Sequence, residues 1–232
     1  NDLIVGDDYK SGFMTVIGQP NVGKSTLINK LVGEKIAITS RKAQTTRNKI
    51  QCILTLDEAQ MVFIDTPGIH SPQDKMGRYL NRVAYNSLEE IDVVLFMVDS
   101  SYQPNRDDKK IAGELSKLNI PVLLVMNKVD LISKPKLIKR IKEYNKIGDF
   151  IDVVSISAQK EINLDHLTDS IIEFLPTGPK YYPDNMITDQ IEQFIIAELI
   201  REKVLNFTHQ EVPHSVAVEI MKFNEEKNGD LI

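Results

Sequence analysis

The sequence predicts an α/β fold of the P-loop NTPase type, built on a mostly parallel six-stranded sheet, and three observations carry that expectation. Short apolar runs alternate with segments of helical period along most of the chain. The stretch Gly18-Gln19-Pro20-Asn21-Val22-Gly23-Lys24-Ser25 satisfies the phosphate-loop pattern G-x-x-x-x-G-K-[ST] at every required position. Each further loop with chemical potential also follows an expected strand, at the edge where open parallel sheets bind ligands.

Residues 13–17 read as a buried strand and 25–32 have helical spacing, so the phosphate loop joins strand to helix. Gly18 and Gly23 let the backbone wrap closely around phosphate oxygens. Successive N–H groups and the helix N-terminus supply positive potential, and Lys24 adds a cation near the terminal phosphates. Ser25 is placed to offer its hydroxyl to Mg²⁺, and Pro20, Asn21, Val22 and Thr26 complete the nucleotide-binding stretch.

Residues 33–48 form a polar connection too long for a simple turn. One of its adjacent hydroxyls, Thr45 or Thr46, is expected to complete the Mg²⁺ shell when a terminal phosphate is present. Thr46 is preferred, against the plain alternative of two β-branched residues leading into a strand. Arg41, Lys42 and Arg47 read as a solvated basic loop.

Strands over 50–56 and 60–64, joined by Asp57-Glu58-Ala59, predict an antiparallel hairpin. The second ends at Asp65-Thr66-Pro67-Gly68, which places Asp65 on the metal's outer shell and the Gly68 N–H on the terminal phosphate. Away from a phosphate loop the same four residues would be an ordinary turn. A helix over 74–90, strand 93–98, helix 107–118, strand 122–126, helix 136–147, strand 151–156 and helix 164–175 follow.

The stretch Asn127-Lys128-Val129-Asp130 points to the base. A carboxylate at 130 accepts hydrogen bonds from guanine N1–H and the exocyclic amine, and adenine offers neither at that edge. Asn127 can tie this loop to the phosphate loop, the Lys128 stem can lie against the base, and the Ala158 N–H in Ser157-Ala158 can donate to guanine O6. An ATPase would leave Asp130 without a partner.

The chain has 232 residues, 42% of them hydrophobic, a formal net charge of −5 and one cysteine. That length accommodates one large domain plus part of a second, and the acidic balance argues against non-specific coating of nucleic acid. Cys52 lies in an apolar stretch and reads as core in a reducing compartment. Residues 1–10 resemble neither a signal nor a transit peptide, and no apolar run approaches spanning length. The histidines lie at no metal-ligand spacing. Three prolines and a glycine among residues 176–183 read as an ordered linker, which Tyr181 and Tyr182 pin to the first domain. Beyond it, 187–204 predicts an amphipathic helix, with apolar residues at 187, 191, 194, 195, 199 and 204, and 215–221 predicts a strand.

The order G-Q-P-N-V-G-K-S, Q-T-T-R-N, D-T-P-G, N-K-V-D and S-A is similar to that of translation-factor-class GTPases. Ser40-Arg41-Lys42-Ala43-Gln44-Thr45-Thr46-Arg47, Asp65-Thr66-Pro67-Gly68-Ile69-His70 and Glu211-Val212-Pro213-His214-Ser215-Val216-Ala217-Val218 carry the likeness further. They resemble the Era type of bacterial ribosome-assembly GTPase over essentially the whole chain after residue 10.

That resemblance implies a GTPase domain over 11–176, a linker over 177–184, and the start of an α+β type II KH domain over 185–232. It implies GTP/GDP and Mg²⁺ as ligands, and the 3′ end of small-subunit ribosomal RNA and the small subunit itself as partners. A cytoplasmic location follows, with peripheral membrane contact left open. The sequence departs at one place. A KH domain grips RNA with a G-x-x-G loop, and no such loop precedes Ile232, so the expectation is a truncated or incompletely recorded chain without assignable RNA contacts. Residues 185–232 carry more than twice as many acidic as basic side chains.

Ile69 stands where Ras-like GTPases place a water-orienting glutamine. Slow intrinsic hydrolysis is therefore expected, with charge stabilisation from Lys24, Mg²⁺ and backbone donors such as Gly68, and with Thr46 closing the site. The resemblance also implies K⁺ held at Asn21; a turn residue that caps the loop is the competing role. Two readings result: a GTP-hydrolysing switch, or an RNA-binding scaffold whose nucleotide site is mainly structural.

Overall fold

The computed structural model describes residues 6, 8–38, 50–65, 91–208 and 216–221. Six strands form one sheet: β1 (Lys10–Ile17), β2 (Ile50–Thr55), β3 (Ala59–Asp65), β4 (Val93–Asp99), β5 (Val122–Asn127) and β6 (Asp152–Ser155), in the order β2-β3-β1-β4-β5-β6. Every pairing is parallel except β2 with β3, which form the expected hairpin with Ile53 opposite Val62.

The central strands are apolar without alternation because both faces are covered. Val93, Leu95 and Met97 of β4 face one core with Met14, Leu27, Phe63 and Leu167, while Val94, Phe96 and Val98 face the other with Ile111, Leu124 and Tyr144. Helices α1 (Lys24–Val32) and α4 (Leu164–Phe174) supply residues to the first core. Helices α2 (Arg106–Leu115) and α3 (Lys134–Tyr144) supply them to the second. Each of these aliphatic side chains contributes about 1.5–3 kcal/mol on burial. Cys52 is fully buried in the first core.

Local chemistry sets the helix ends. Asn105 caps α2, accepting from Asp107 N at 2.8 Å and Asp108 N at 3.1 Å while Asp108 Oδ2 accepts from Asn105 N at 3.1 Å. Gly33, with φ 82°, closes α1. The Asn29 side chain then braces the chain beyond, its Oδ1 accepting from Ala37 N at 2.8 Å and its Nδ2 donating to Ala37 O at 2.6 Å.

The segment after α4 packs back on the sheet. Lys10 and Thr177 form an antiparallel bridge. The buried Gln60 amide accepts from Tyr181 N and Tyr182 N at 2.8 and 2.9 Å and donates to Tyr182 O at 2.8 Å. Tyr181 also lies against Phe13, with ring centroids 5.0 Å apart. Both tyrosines thus hold this segment to the sheet.

Two expectations for the C-terminal part are corrected. The last helix, α5, is Glu192–Phe207, not 187–204. Residues 187 and 188 instead pair with the edge strand β2: Ile53 N donates to Ile187 O at 2.9 Å and Thr188 Oγ1 to Gln51 O at 2.7 Å. An edge strand offers unpaired backbone groups, and their satisfaction outweighs the helical period. What α5 buries also departs from the apolar pattern, since Glu198, Arg201 and Glu202 are buried beside Leu205 while Ile191 is 66% exposed. Arg201 Nε and Nη2 hold the Glu198 carboxylate at 2.8 and 2.5 Å, and Glu202 meets Lys35 at 2.6 Å. Residues 216–221 alternate in exposure as a strand would, yet make no ladder. The expected helix over 74–90 lies outside the described residues.

Candidate functional site

The carboxyl ends of β1, β3, β4, β5 and β6 converge on one edge, and the phosphate loop crosses it between β1 and α1. Its shape depends on two glycines. A Cβ on Gly18 would sit 2.2 Å from Met97 O, so the loop can pass under β4 only without a side chain. Gly23 has φ 110°, and a Cβ there would meet Asn127 Nδ2 at 2.4 Å. Gly23 is also the N-cap of α1, so no side chain covers the helix's first N–H groups. A loop kept clear in this way fits a phosphate cradle.

Lys24 is buried, with its Nζ donating to Gly18 O at 3.2 Å and Gln19 O at 3.0 Å. The ammonium is thereby folded into the mouth of the loop. Asn21 has φ 65°, a left-handed conformation that asparagine tolerates and that a turn residue, the competing role for it, would adopt. Ser25 and Thr26 lie half-buried in the first turn of α1, and Pro20 and the buried Val22 line the cavity beside the loop.

The base-side loop is locked to the phosphate loop by a single amide. Asn127, only 3% exposed at the end of β5, donates from Nδ2 to Val22 O at 2.7 Å and accepts at Oδ1 from Ala158 N at 2.9 Å. Three loops thus share one side chain. The Ala158 N–H assigned to guanine O6 is engaged here by Asn127, so a base must share it or draw it away. Lys128, at φ 63°, sends its Nζ to Asn21 O at 2.9 Å and to Asp99 Oδ2 at 2.8 Å, which draws its stem across the loop. Asp130 stands exposed in a 3₁₀ turn, Val129–Leu131. Ser157 is fully buried, and its Oγ accepts from Lys160 N at 3.2 Å, closing the last loop on itself.

Several groups of this site escape the sequence pattern. Gln19 Nε2 donates to Asn105 Oδ1 at 3.0 Å and to Asp108 Oδ1 at 2.6 Å, tying the apex of the phosphate loop to the cap of α2. The buried Asp108 also accepts from Tyr144 Oη at 3.2 Å, and burial, reinforced by this carboxylate, pushes the Tyr144 phenol far above its ordinary range. Asp99, the partner of Lys128, ends β4 on the ligand edge. That position is the one signal by which it is detectable. Between these tethers lies a cavity of about 300 Å³ lined by Gln19, Asn21, Asp99, Tyr102, Asp108 and Lys128.

Thr46, Gly68 and Ile69 lie outside the described residues, as does the Asp65 side chain, although Asp65 closes β3 on this edge. Among the described residues no group of three or more His, Cys, Asp or Glu side chains could hold a metal ion, and no helix is long and apolar enough to cross a membrane.

These loops, on this sheet, define a P-loop GTPase. The family described as 50S ribosome-binding GTPase matches residues 13–128. GTPase Era of Staphylococcus epidermidis is 50% identical over 219 residues, covering 94% of this chain and 73% of the relative. The chain belongs to the Era family of GTPases. Its fold matches a crystal structure of Era in complex with MgGDPNP and nucleotides 1506–1542 of 16S ribosomal RNA, with TM-score 0.90, 40% identity, and coverage of 95% of this chain and 75% of that one. It also matches an Aquifex aeolicus Era variant bound to GDP and AlF₄⁻, with TM-score 0.89, 39% identity and the same coverages.

Proposed function

We propose that this GTPase is a guanine-nucleotide switch of small-subunit ribosome assembly, which binds GTP with Mg²⁺, engages the 3′ end of small-subunit ribosomal RNA, and leaves it on hydrolysis. The observation that carries the reading is Asn127, whose one amide holds the phosphate loop and both base-side loops together. A nucleotide bound there touches every loop at once, and so biases their arrangement. Binding of RNA and of Mg-loaded GTP analogue comes from the Era relatives.

The candidate contacts divide by chemistry. Gly18, Pro20, Asn21, Val22, Gly23, Lys24, Ser25 and Thr26 hold the phosphates, together with Asp65 and Gly68; Asn127, Lys128, Asp130, Ser157 and Ala158 hold the base. Ser25 and Thr46 would hold Mg²⁺, with Asp65 behind them, and the ion would neutralise charge on the terminal phosphates. Lys24 and the Gly68 N–H stabilise charge on the transferred group. Asn21 is the candidate for K⁺, although its left-handed turn geometry is equally that of a loop cap. The division at 11–176, 177–184 and 185–232 belongs to this reading, as does a cytoplasmic setting.

The test is RNA binding to the 3′-end single strand with the protein held by GDP or by a non-hydrolysable GTP analogue. Tighter binding in the GTP-like state, lost in Thr46→Ala while nucleotide affinity persists, supports the switch. Equal binding in both states refutes it.

A further inference from the structure

Charge is unevenly distributed along this acidic chain. Residues 128–146 hold seven basic and two acidic side chains, which leaves the remainder with twenty-one basic against thirty-one acidic. Most of that positive stretch is α3. The helix turns Leu137, Ile141 and Tyr144 toward the core and presents Lys134, Lys136, Ile138, Lys139 and Lys142 to solvent, with Lys146 just beyond its end. Lys134, Ile138 and Lys142 succeed one another at four-residue intervals, so they share one ridge, and Lys146 stands in the turn that follows it. From Lys134 to Lys142 that ridge runs about 12 Å.

Among the described residues the ridge is not neutralised. Glu143, the one acidic residue of α3, is taken by Arg140 at 2.6 Å, with Lys139 at 4.0 Å. Lys134, Lys136, Lys142 and Lys146 form no ion pair among the described residues. Past the C-terminal end of the ridge, Lys146 and Lys109 of α2 line, together with Glu143, a groove of about 600 Å³. Amid the lysines, Ile138 is 56% exposed. A solvated face of a protein with net negative charge gains nothing from gathering unpaired lysines of one sign. An anionic partner that spans several charges explains the arrangement.

We propose that this face of α3 docks the phosphate backbone of double-helical RNA. The proposal rests on the RNA-binding reading above and adds a surface on the GTPase domain, separate from any grip on the single-stranded 3′ end. Spaced ammonium groups suit backbone contact, which is independent of sequence. A membrane surface fits less well, because lipid insertion requires a broad apolar face and this ridge offers one isoleucine. The helix follows directly on the 127–130 loop, so RNA seated there adjoins the base-recognition residues.

The test measures binding of the chain to three probes: a blunt RNA hairpin, the single-stranded 3′ end of small-subunit RNA, and phosphatidylserine vesicles. The variants are Lys134→Glu/Lys142→Glu/Lys146→Glu, the same three changed to Gln, and a control with Lys110→Glu/Lys117→Glu. The expected result is hairpin affinity at least tenfold weaker in the Glu triple variant and intermediate in the Gln variant, with a salt slope lower by about 2. The control should change less than threefold, and basal GTP turnover and single-strand binding should be kept. The inference is overturned if the wild-type chain binds no hairpin, if the triple variant binds it as well as wild type, or if the lysines are needed for vesicles and not for RNA. Hairpin binding that depends on these lysines without any single-strand binding would sustain this surface and sink the 3′-end reading instead.

Discussion

Asn127→Ala is the perturbation with the sharpest expected consequence, because the residue makes both of its side-chain bonds to buried backbone groups. Its loss leaves Val22 O and Ala158 N without their partners at 2.7 and 2.9 Å, in residues 6% and 1% exposed. An orphaned buried polar group costs about 1–3 kcal/mol, so the pair predicts about 3 kcal/mol of lost stability. For a chain of this size that lowers the melting temperature by about 6–12 °C. The loops are also freed from one another, so guanine-nucleotide affinity should fall at least tenfold. Asn127→Asp should not rescue: its carboxylate still accepts from Ala158 N but sets an acceptor against Val22 O. Thermal unfolding without nucleotide and calorimetric titration with GDP provide the two readouts. A melting temperature within about 2 °C of wild type, together with GDP affinity within threefold, would refute the reasoning.

Further outcomes follow from the same geometry. Gly23→Ala, forced to φ 110° with its Cβ 2.4 Å from Asn127 Nδ2, should weaken GDP binding at least tenfold by calorimetry. Gln60→Ala removes the bonds to the Tyr181 and Tyr182 backbone, and should cost about 2–3 kcal/mol in urea unfolding and speed tryptic cleavage after Lys180. Burial, then Asp184, Glu58 and Asp57, push the Tyr9 phenol up to about 12. The folded chain therefore keeps a proton that the unfolded chain releases, and stability present below pH 10 should decline toward about pH 12. Tyr9→Phe should flatten that decline in urea midpoints measured across the range. For Asn21, GTP turnover compared in K⁺ and Na⁺ should show K⁺ stimulation that Asn21→Ala abolishes; equal rates in all four conditions would assign the residue to the turn alone.

What is legible in the sequence is what local pattern encodes. The phosphate loop, the hairpin and the buried runs of β4 and β5 declare themselves because motif spacing and unbroken apolar strands are compatible with few folds. The tie from Asn127 to the phosphate loop follows from its place at a strand end. The support behind the loop does not. Gln19, Asp99 and Asp108 act through partners 29 to 89 residues away, in single polar side chains that carry no periodicity. The start of α5 departs from the apolar period for a related reason: Ile187 has helical spacing, but an open β2 edge claims its carbonyl and the Thr188 hydroxyl. Its buried Glu198–Arg201 pair likewise inverts the rule that apolar residues mark the inner face.

The central claim is that the loop around Asp130 reads guanine and that the joined loops hydrolyse its triphosphate. Turnover of GTP, ATP and xanthosine triphosphate with Mg²⁺, by the chain and by Asp130→Asn, tests this directly. The structure predicts hydrolysis of GTP over ATP, and a shift toward xanthosine triphosphate in the variant, because an amide can donate to the oxygen that replaces guanine's amine. Equal turnover of ATP and GTP, or an unchanged preference in the variant, would contradict it.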